Sequence, residues 1–327
     1  MYRKFLLLLL ILLPLQALGQ RRDFIVSPVN AESVVTEQKL YEGIEFLASH
    51  MCEGRASGTA GHFYAAEWIR FTLRRAGAVP FDGCWADGFA LEGGGSGHNI
   101  IGMYPGTGDR YIIIMAHYDN LGILNGRMYP GADSNASGVV AMTTLAEMFQ
   151  RMEHFGRQYR TNVIFVGLDG KMRNFAGAKA LYRRIVNGGL KDPVSGKIIG
   201  KEDIDLVINI DQIGSSEAPL HPRRDDYLIM LGDESYAHRD ALSNVNRNRR
   251  NDMDLGFTYY GSKDFTRLFL HQVCDQRVFL DGDMPAVLLT SGITMRNNKP
   301  ADTAEAIDLP ILRKRIILIF HWLSKWL

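Results

Sequence analysis

The chain has 327 residues, of which 46% are hydrophobic and 22% charged, a globular composition that excludes a disordered chain. Lys and Arg number 37 against 36 Asp and Glu, which excludes the strong positive charge of a nucleic-acid binder. Three cysteines exclude a disulfide scaffold, and a chain of this length buries a sufficient core without one.

Residues 1–19, MYRKFLLLLLILLPLQALG, read as a secretory signal peptide. Arg3 and Lys4 form the basic start, an apolar run follows from Phe5, and Ala17-Leu18-Gly19 is a small-x-small cleavage site. The run falls short of the ~20 residues of a membrane span, so cleavage before Gln20 is expected. Residues 20–327 are then expected to form one exported domain, periplasmic or extracellular, with no membrane attachment. Export permits disulfides. Cys52, Cys84 and Cys274 allow one pair; Cys52–Cys84 is possible, and spacing does not decide it. No C-x-x-C or Cys/His cluster exists, so the cysteines make no zinc site.

Leu40, Ile44, Phe46 and Leu47 predict a helix over 35–50. Tyr64, Trp68, Ile69, Phe71 and Leu73 predict a second over 62–76, ended by Gly77. The glycine-rich stretch 93–97 is a loop; it does not follow a strand and open a helix, so it is no phosphate loop. Strands are predicted over 99–104, 110–116, 161–168, 205–210, 227–231 and 286–290, and helices over 137–153, 176–187 and 310–327. The runs RYIIIMA and TNVIFVGL are apolar throughout, as suits strands covered on both faces. Residues 213–260 are richer in charge and read as loops and short elements over the sheet edge. The alternation argues an α/β three-layer sandwich with a mixed, largely parallel central sheet.

In open α/β sheets, ligands bind beyond the carboxyl ends of the strands. RYIIIMA is followed by His117-Tyr118-Asp119, DLVINI by Asp211, and TNVIFVGL by Asp169-Gly170-Lys171-Met172. The segment GADSNASG precedes the helix at 137. These loops, with the one after AVLLT, are expected to converge on one site.

These motifs, in this order, resemble the M28 family of zinc aminopeptidases, whose fold is shared with glutaminyl cyclases. LYEGIEFLASHMCEGRASGTAG, HNIIGMYPG, IIIMAHYDNLG, YPGADSNASGVVAM, NIDQIG and MPAVLLTSGI…KPADT carry the likeness over nearly all of the expected mature chain. The resemblance implies a two-zinc site. The His of H-x-D and the Asp of N-x-D-x-I-G serve one ion; the second Glu of a Glu-Glu pair and a late His serve the other. An Asp in G-x-x-D-N-x-S-G bridges both. The first Glu of the pair is the general base on a metal-bound water, and the H-x-D aspartate orients the His.

Carried over, His117 and Asp211 match as metal ligands and Asp119 as the orienting residue. The bridging position carries Ser134, the Glu-Glu pair Lys171 and Met172, and the late His Asn298. Cys274-Asp275-Gln276 stands for the family's Ser-Asp-His loop. Two ligands fall short of the three that catalytic zinc takes. No residue is therefore assigned as catalytic, and Lys171 stands at the general-base position. Its ammonium is expected to replace the missing positive charge by pairing with Asp211. His117 and Asp119 read as a buried hydrogen-bonded pair or as contacts to a metal or substrate. Asp133, Asp169 and Asp275 are expected around the pocket, Asp169 holding its own turn through main-chain N–H groups.

Smaller signals are set aside. Ser134 and Ser137 lack a G-x-S-x-G elbow. The sequon at Asn135 falls in the site loop, where glycosylation is not expected. The basic run at 247–250 reads as a solvated surface. The chain therefore reads as an exported M28 peptidase-like protein, catalytically inactive, binding a peptide or protein partner. The alternative is a metalloaminopeptidase with a reduced zinc site; the glutaminyl cyclase reading loses its ligands. No cofactor is expected, with zinc as the alternative, and no nucleic-acid partner.

Overall fold

The apolar runs of the sequence form the middle of one large mixed sheet. The computed structural model describes residues 28–232, 237–248, 251–325 and 327; the leader-like segment 1–19 lies outside the described residues, as do Arg249 and Arg250. The strands are β1 (Val79–Pro80), β2 (Ala86–Ala90), β3 (Ser96–Tyr104), β4 (Tyr111–His117), β5 (Gly122–Leu124), β6 (Arg127–Tyr129), β7 (Asn162–Leu168), β8 (Ile204–Ile210), β9 (Tyr227–Leu231), β10 (Asp254–Gly256) and β11 (Ala286–Thr290). The main sheet runs β1-β3-β7-β4-β8-β11-β9-β10, with β2 also on β3, and β5-β6 form a separate hairpin. Strands β7, β4, β8 and β11 are mutually parallel; β3 and β9 flank them antiparallel. Four carboxyl ends therefore share one edge.

The helices are α1 (Glu37–Ala48), α2 (Ala60–Arg75), α3 (Ser137–His154), α4 (Ala176–Val186), α5 (Ala237–Asn248), α6 (Lys263–Leu268), α7 (Arg277–Leu280) and α8 (Leu309–Leu323). Alternate strand residues point to opposite faces. Ile112, Ile114, Phe165 and Ile208 pack with α1, α2, α3 and α8, whereas Ile113, Met115, Val166 and Val207 pack with α4 and Phe279 of α7. This is the three-layer sandwich with a largely parallel sheet. The caps follow the sequence: Thr36, Thr59 and Asp308 accept from Lys39, His62 and Ile311 main-chain N–H groups at 3.2–3.3 Å.

Several expectations need correction. The strand expected at 99–104 starts at Ser96, because β2 pairs with it from Ala90 back to Ala86. The charged stretch 213–260 holds a full helix, α5, whose buried Leu242 and Val245 supply one narrow apolar stripe. Cys52, Cys84 and Cys274 are all free, Cys52 and Cys274 buried and Cys84 exposed, so the open Cys52–Cys84 pairing is not formed.

Candidate functional site

Strand register brings the central pair together. Met115 on β4 lies opposite Asn209 on β8. Two residues further, the same register sets His117 beside Asp211, on the face that Met115 and Val207 share with α4. His117 Nε2 lies 3.4 Å from Asp211 Oδ1, and both side chains are fully buried.

Lys171 arrives from the loop after β7. Gly170 takes φ 72°, and a Cβ there would meet the Ala176 Cβ at 3.1 Å. A single turn over Lys171–Arg173 follows, then α4. The two carboxylate oxygens of Asp119 accept from the main-chain N–H groups of Lys171 and Met172, each at 3.0 Å. Lys171 Nζ then reaches back, donating to Asp211 Oδ2 and lying 3.2 Å from His117 Nε2. The imidazole Nδ1 is 3.0 Å from the main-chain oxygen of Asp119 and 3.7 Å from its Oδ1. The Asp119 side chain, expected to orient His117, is engaged instead by the 171–172 loop, and its main-chain oxygen takes the histidine.

Burial opposes the charged form of each group, and neighbours decide the outcome. For Lys171, burial is outweighed by Asp211, and the ammonium is held above its ordinary range. For Asp211, burial is outweighed by Lys171 and His117, which hold the carboxyl far below the usual carboxylate range. Burial and Lys171 push His117 down, but Asp211 and Asp119 carry it upward overall. A lysine held protonated in this way is a cation and a donor, not a base.

A cleft of about 380 Å³ opens above this cluster, and Lys171, Ser134, Met172 and Asn298 all line it. The sequence thus placed the four exchanged positions on one cavity. The three acidic residues expected around it are off its wall. Asp133 turns inward, accepting from Gly214 N at 2.7 Å and Ser137 Oγ at 2.9 Å. Burial and then Asp302 push it up to about 7. Asp169 does not hold its own turn. It binds Ser57 Oγ at 2.6 Å, His62 Nε2 at 2.9 Å and His98 N at 2.9 Å, tying α2 and β3 to the end of β7. Asp275 is fully buried beneath the cleft with no hydrogen-bond partner on either carboxylate oxygen among the described residues, and burial pushes it up to about 6 against Lys171 and His117.

Two residues that position the site were not singled out from the sequence. Asp302, in the KPADT segment, accepts from Asp133 N at 2.8 Å and Ser134 N at 3.1 Å. Fully buried Arg55 donates to the carbonyls of Tyr118, Pro130, Gly131 and Leu47, fixing the approach to the same loop. Arg55 lies in EGRASG, where only a charged residue amid small ones hints at burial. Asn135 is fully buried; its side chain donates to Ile210 O at 2.8 Å and accepts from Gln212 N at 2.9 Å. Gly138 permits this approach, since a Cβ there would lie 2.6 Å from Ile210 O. Ser137 bonds to Asp133 and not to a histidine.

The donors present do not fit a zinc ion. His117 and Asp211 are two ligands of the three required, and the Lys171 ammonium lies against both. A dication there would have to displace it. Ser134, Met172 and Asn298 offer a hydroxyl, a thioether and an amide, poor zinc donors at neutral pH. Among the described residues, no group of three or more His, Cys, Asp or Glu side chains is arranged to hold a metal.

This is a zinc-peptidase-type α/β sandwich with an altered strand-end site. The sequence model of Peptidase family M28 matches residues 99–323, and the chain belongs to that family. It is 26% identical over 199 residues to BOS complex subunit ncln of Danio rerio, an alignment covering 57% of this chain and 32% of that one. The chain thus spans about a third of that relative's length. Among solved structures, glutaminyl cyclase of Macrostomum lignano superposes with a TM-score of 0.68 at 17% identity, covering 92% of this chain and 93% of that one. The aminopeptidase from Aneurinibacillus sp. strain AM-1 gives 0.66 at 13% identity, covering 92% and 96%. These likenesses define the fold.

Proposed function

We propose that this M28-family chain does not hydrolyse peptide bonds and that its cleft binds a peptide or protein partner. The observation that carries the reading is the Lys171 ammonium lodged against His117 and Asp211. Hydrolysis on this fold needs a metal-bound water and a base at that place. Lys171 is a cation held protonated by Asp211, so it cannot accept the proton. Asp275, at about 6, has a value suited to a base, but it is buried off the cleft wall. Similarity to a protein named as a subunit of the BOS complex supports a role within an assembly. Export belongs to the same reading and rests on residues 1–19; sequencing the cell-made protein should find Gln20 first.

The test is hydrolysis of leucine p-nitroanilide by the purified chain, with and without added zinc. The expected result is no turnover above a protein-free control in either condition. Zinc-dependent turnover that scales with protein concentration would overturn the reading in favour of an aminopeptidase with a reduced metal site.

A further inference from the structure

The charge on the cleft wall has one sign. Lys171 lines it, together with Gln212, Gln272, Asn297, Asn298 and Ile293, and no acidic residue does so among the described lining residues. Asp119, Asp211 and Asp275 lie beneath, each 0% exposed, whereas the Lys171 side chain keeps 10% exposure. A molecule entering the cleft therefore meets an ammonium before any carboxylate.

A peptide amino terminus is positive at neutral pH. Here it would find no carboxylate on the wall to pair with, because Asp211 is buried and already engaged by Lys171. A peptide main chain, in contrast, offers N–H donors and carbonyl acceptors that side-chain amides match in both directions. Gln212 is 6% exposed, and its enclosed Oε1 has no hydrogen-bond partner among the described residues. The segment that carries Asn297 and Asn298 also puts Ile293, 41% exposed, on the cleft wall.

We propose that the cleft takes an internal, uncharged stretch of a polypeptide, held main chain to amide, and discriminates against a free amino terminus. The proposal rests on the reading that this cleft binds polypeptide. It departs from the substrate that an aminopeptidase recognises by its terminal amine.

The test uses the full chain and two probes of one alternating Ala-Leu tetrapeptide amide, one with a free amino terminus and one N-acetylated. Affinities are measured by calorimetry at neutral pH. The expected result is that the acetylated probe binds more tightly than the free one. Gln272 is exposed on the wall, so Gln272→Glu adds a carboxylate without disturbing the core. It should move the ratio of affinities toward the free amine by roughly two- to fivefold. Equal or tighter binding of the free amine by the unaltered chain would overturn the inference and leave the peptide-binding reading intact. Failure of both probes to bind would overturn the inference and the peptide-binding reading together.

Discussion

Lys171 and Asp211 form a buried ion pair that joins the loop after β7 to the end of β8, two strands away, beneath the cleft. His117, from the strand between them, closes the cluster at 3.2 Å from the ammonium. The pair links the two halves of the reading. Its ammonium occupies the place where His117 and Asp211 converge, and it covers the acidic residues below.

Removing one partner should be costly. Lys171→Met leaves the Asp211 carboxylate buried beside a histidine, and uncompensated buried charge costs about 3–5 kcal/mol. Lys171→Met combined with Asp211→Asn should recover most of that loss, because both charges are then gone. Urea denaturation of the two variants checks this. Equal stability of the single and double variants would show that the pair contributes no coupling.

The lysine should also block metal binding actively. Ser134→Asp alone restores a third carboxylate or imidazole donor beside His117 and Asp211, yet Lys171 still lies against both. Zinc titration should therefore find no stoichiometric site in Ser134→Asp and one in Ser134→Asp/Lys171→Ala, the three-ligand minimum. Stoichiometric zinc in the single variant would mean that the ammonium yields readily.

A pH dependence follows from Asp275. Burial raises its folded value to about 6, against the pull of Lys171 and His117 and with Asp211 and Asp119 adding to the rise. A group raised on folding contributes stability that is complete below its unfolded value and lost as pH rises through the folded one. Asp275→Asn removes that loss. The variant should exceed the parent by on the order of 2 kcal/mol near pH 8 and match it near pH 4. Thermal unfolding at the two pH values reads the difference directly; an equal offset at both would place its cause elsewhere.

Arg55 is expected to resist even a conservative change. Its fork serves four carbonyls on three segments, Leu47, Tyr118 and Pro130-Gly131. A lysine cannot span them, and each carbonyl left buried and unpaired costs roughly 1–3 kcal/mol. Arg55→Lys should lower stability by at least about 2 kcal/mol, measured by urea denaturation. Proteolysis should then cut first near residues 130–136, which Arg55 anchors.

The sheet was legible because its central strands are unbroken apolar runs, and β4, β7, β8 and β11 fall where those runs stand. The strand-end rule and the family motifs together placed Ser134, Lys171, Met172 and Asn298 on one cavity. The helix α5 was hidden by its charge, since an apolar stripe of two buried residues, Leu242 and Val245, barely modulates such a sequence. The partners of Asp119, Asp169 and Asp133 were not legible for another reason. A carboxylate's acceptor role depends on which N–H groups the folded loops present, and these come from residues distant in sequence, such as His98 and Gly214. Asp302 and Arg55 likewise act on main-chain groups of other segments, Asp302 on the N–H groups of Asp133 and Ser134 and Arg55 on carbonyls as far off as Gly131.

The most direct test of the account is the zinc content of the purified chain, after equilibration with micromolar zinc and removal of unbound metal. The account predicts far less than one ion per chain, because Lys171 holds the only place where His117 and Asp211 converge among the described residues. One or two ions per chain would contradict it.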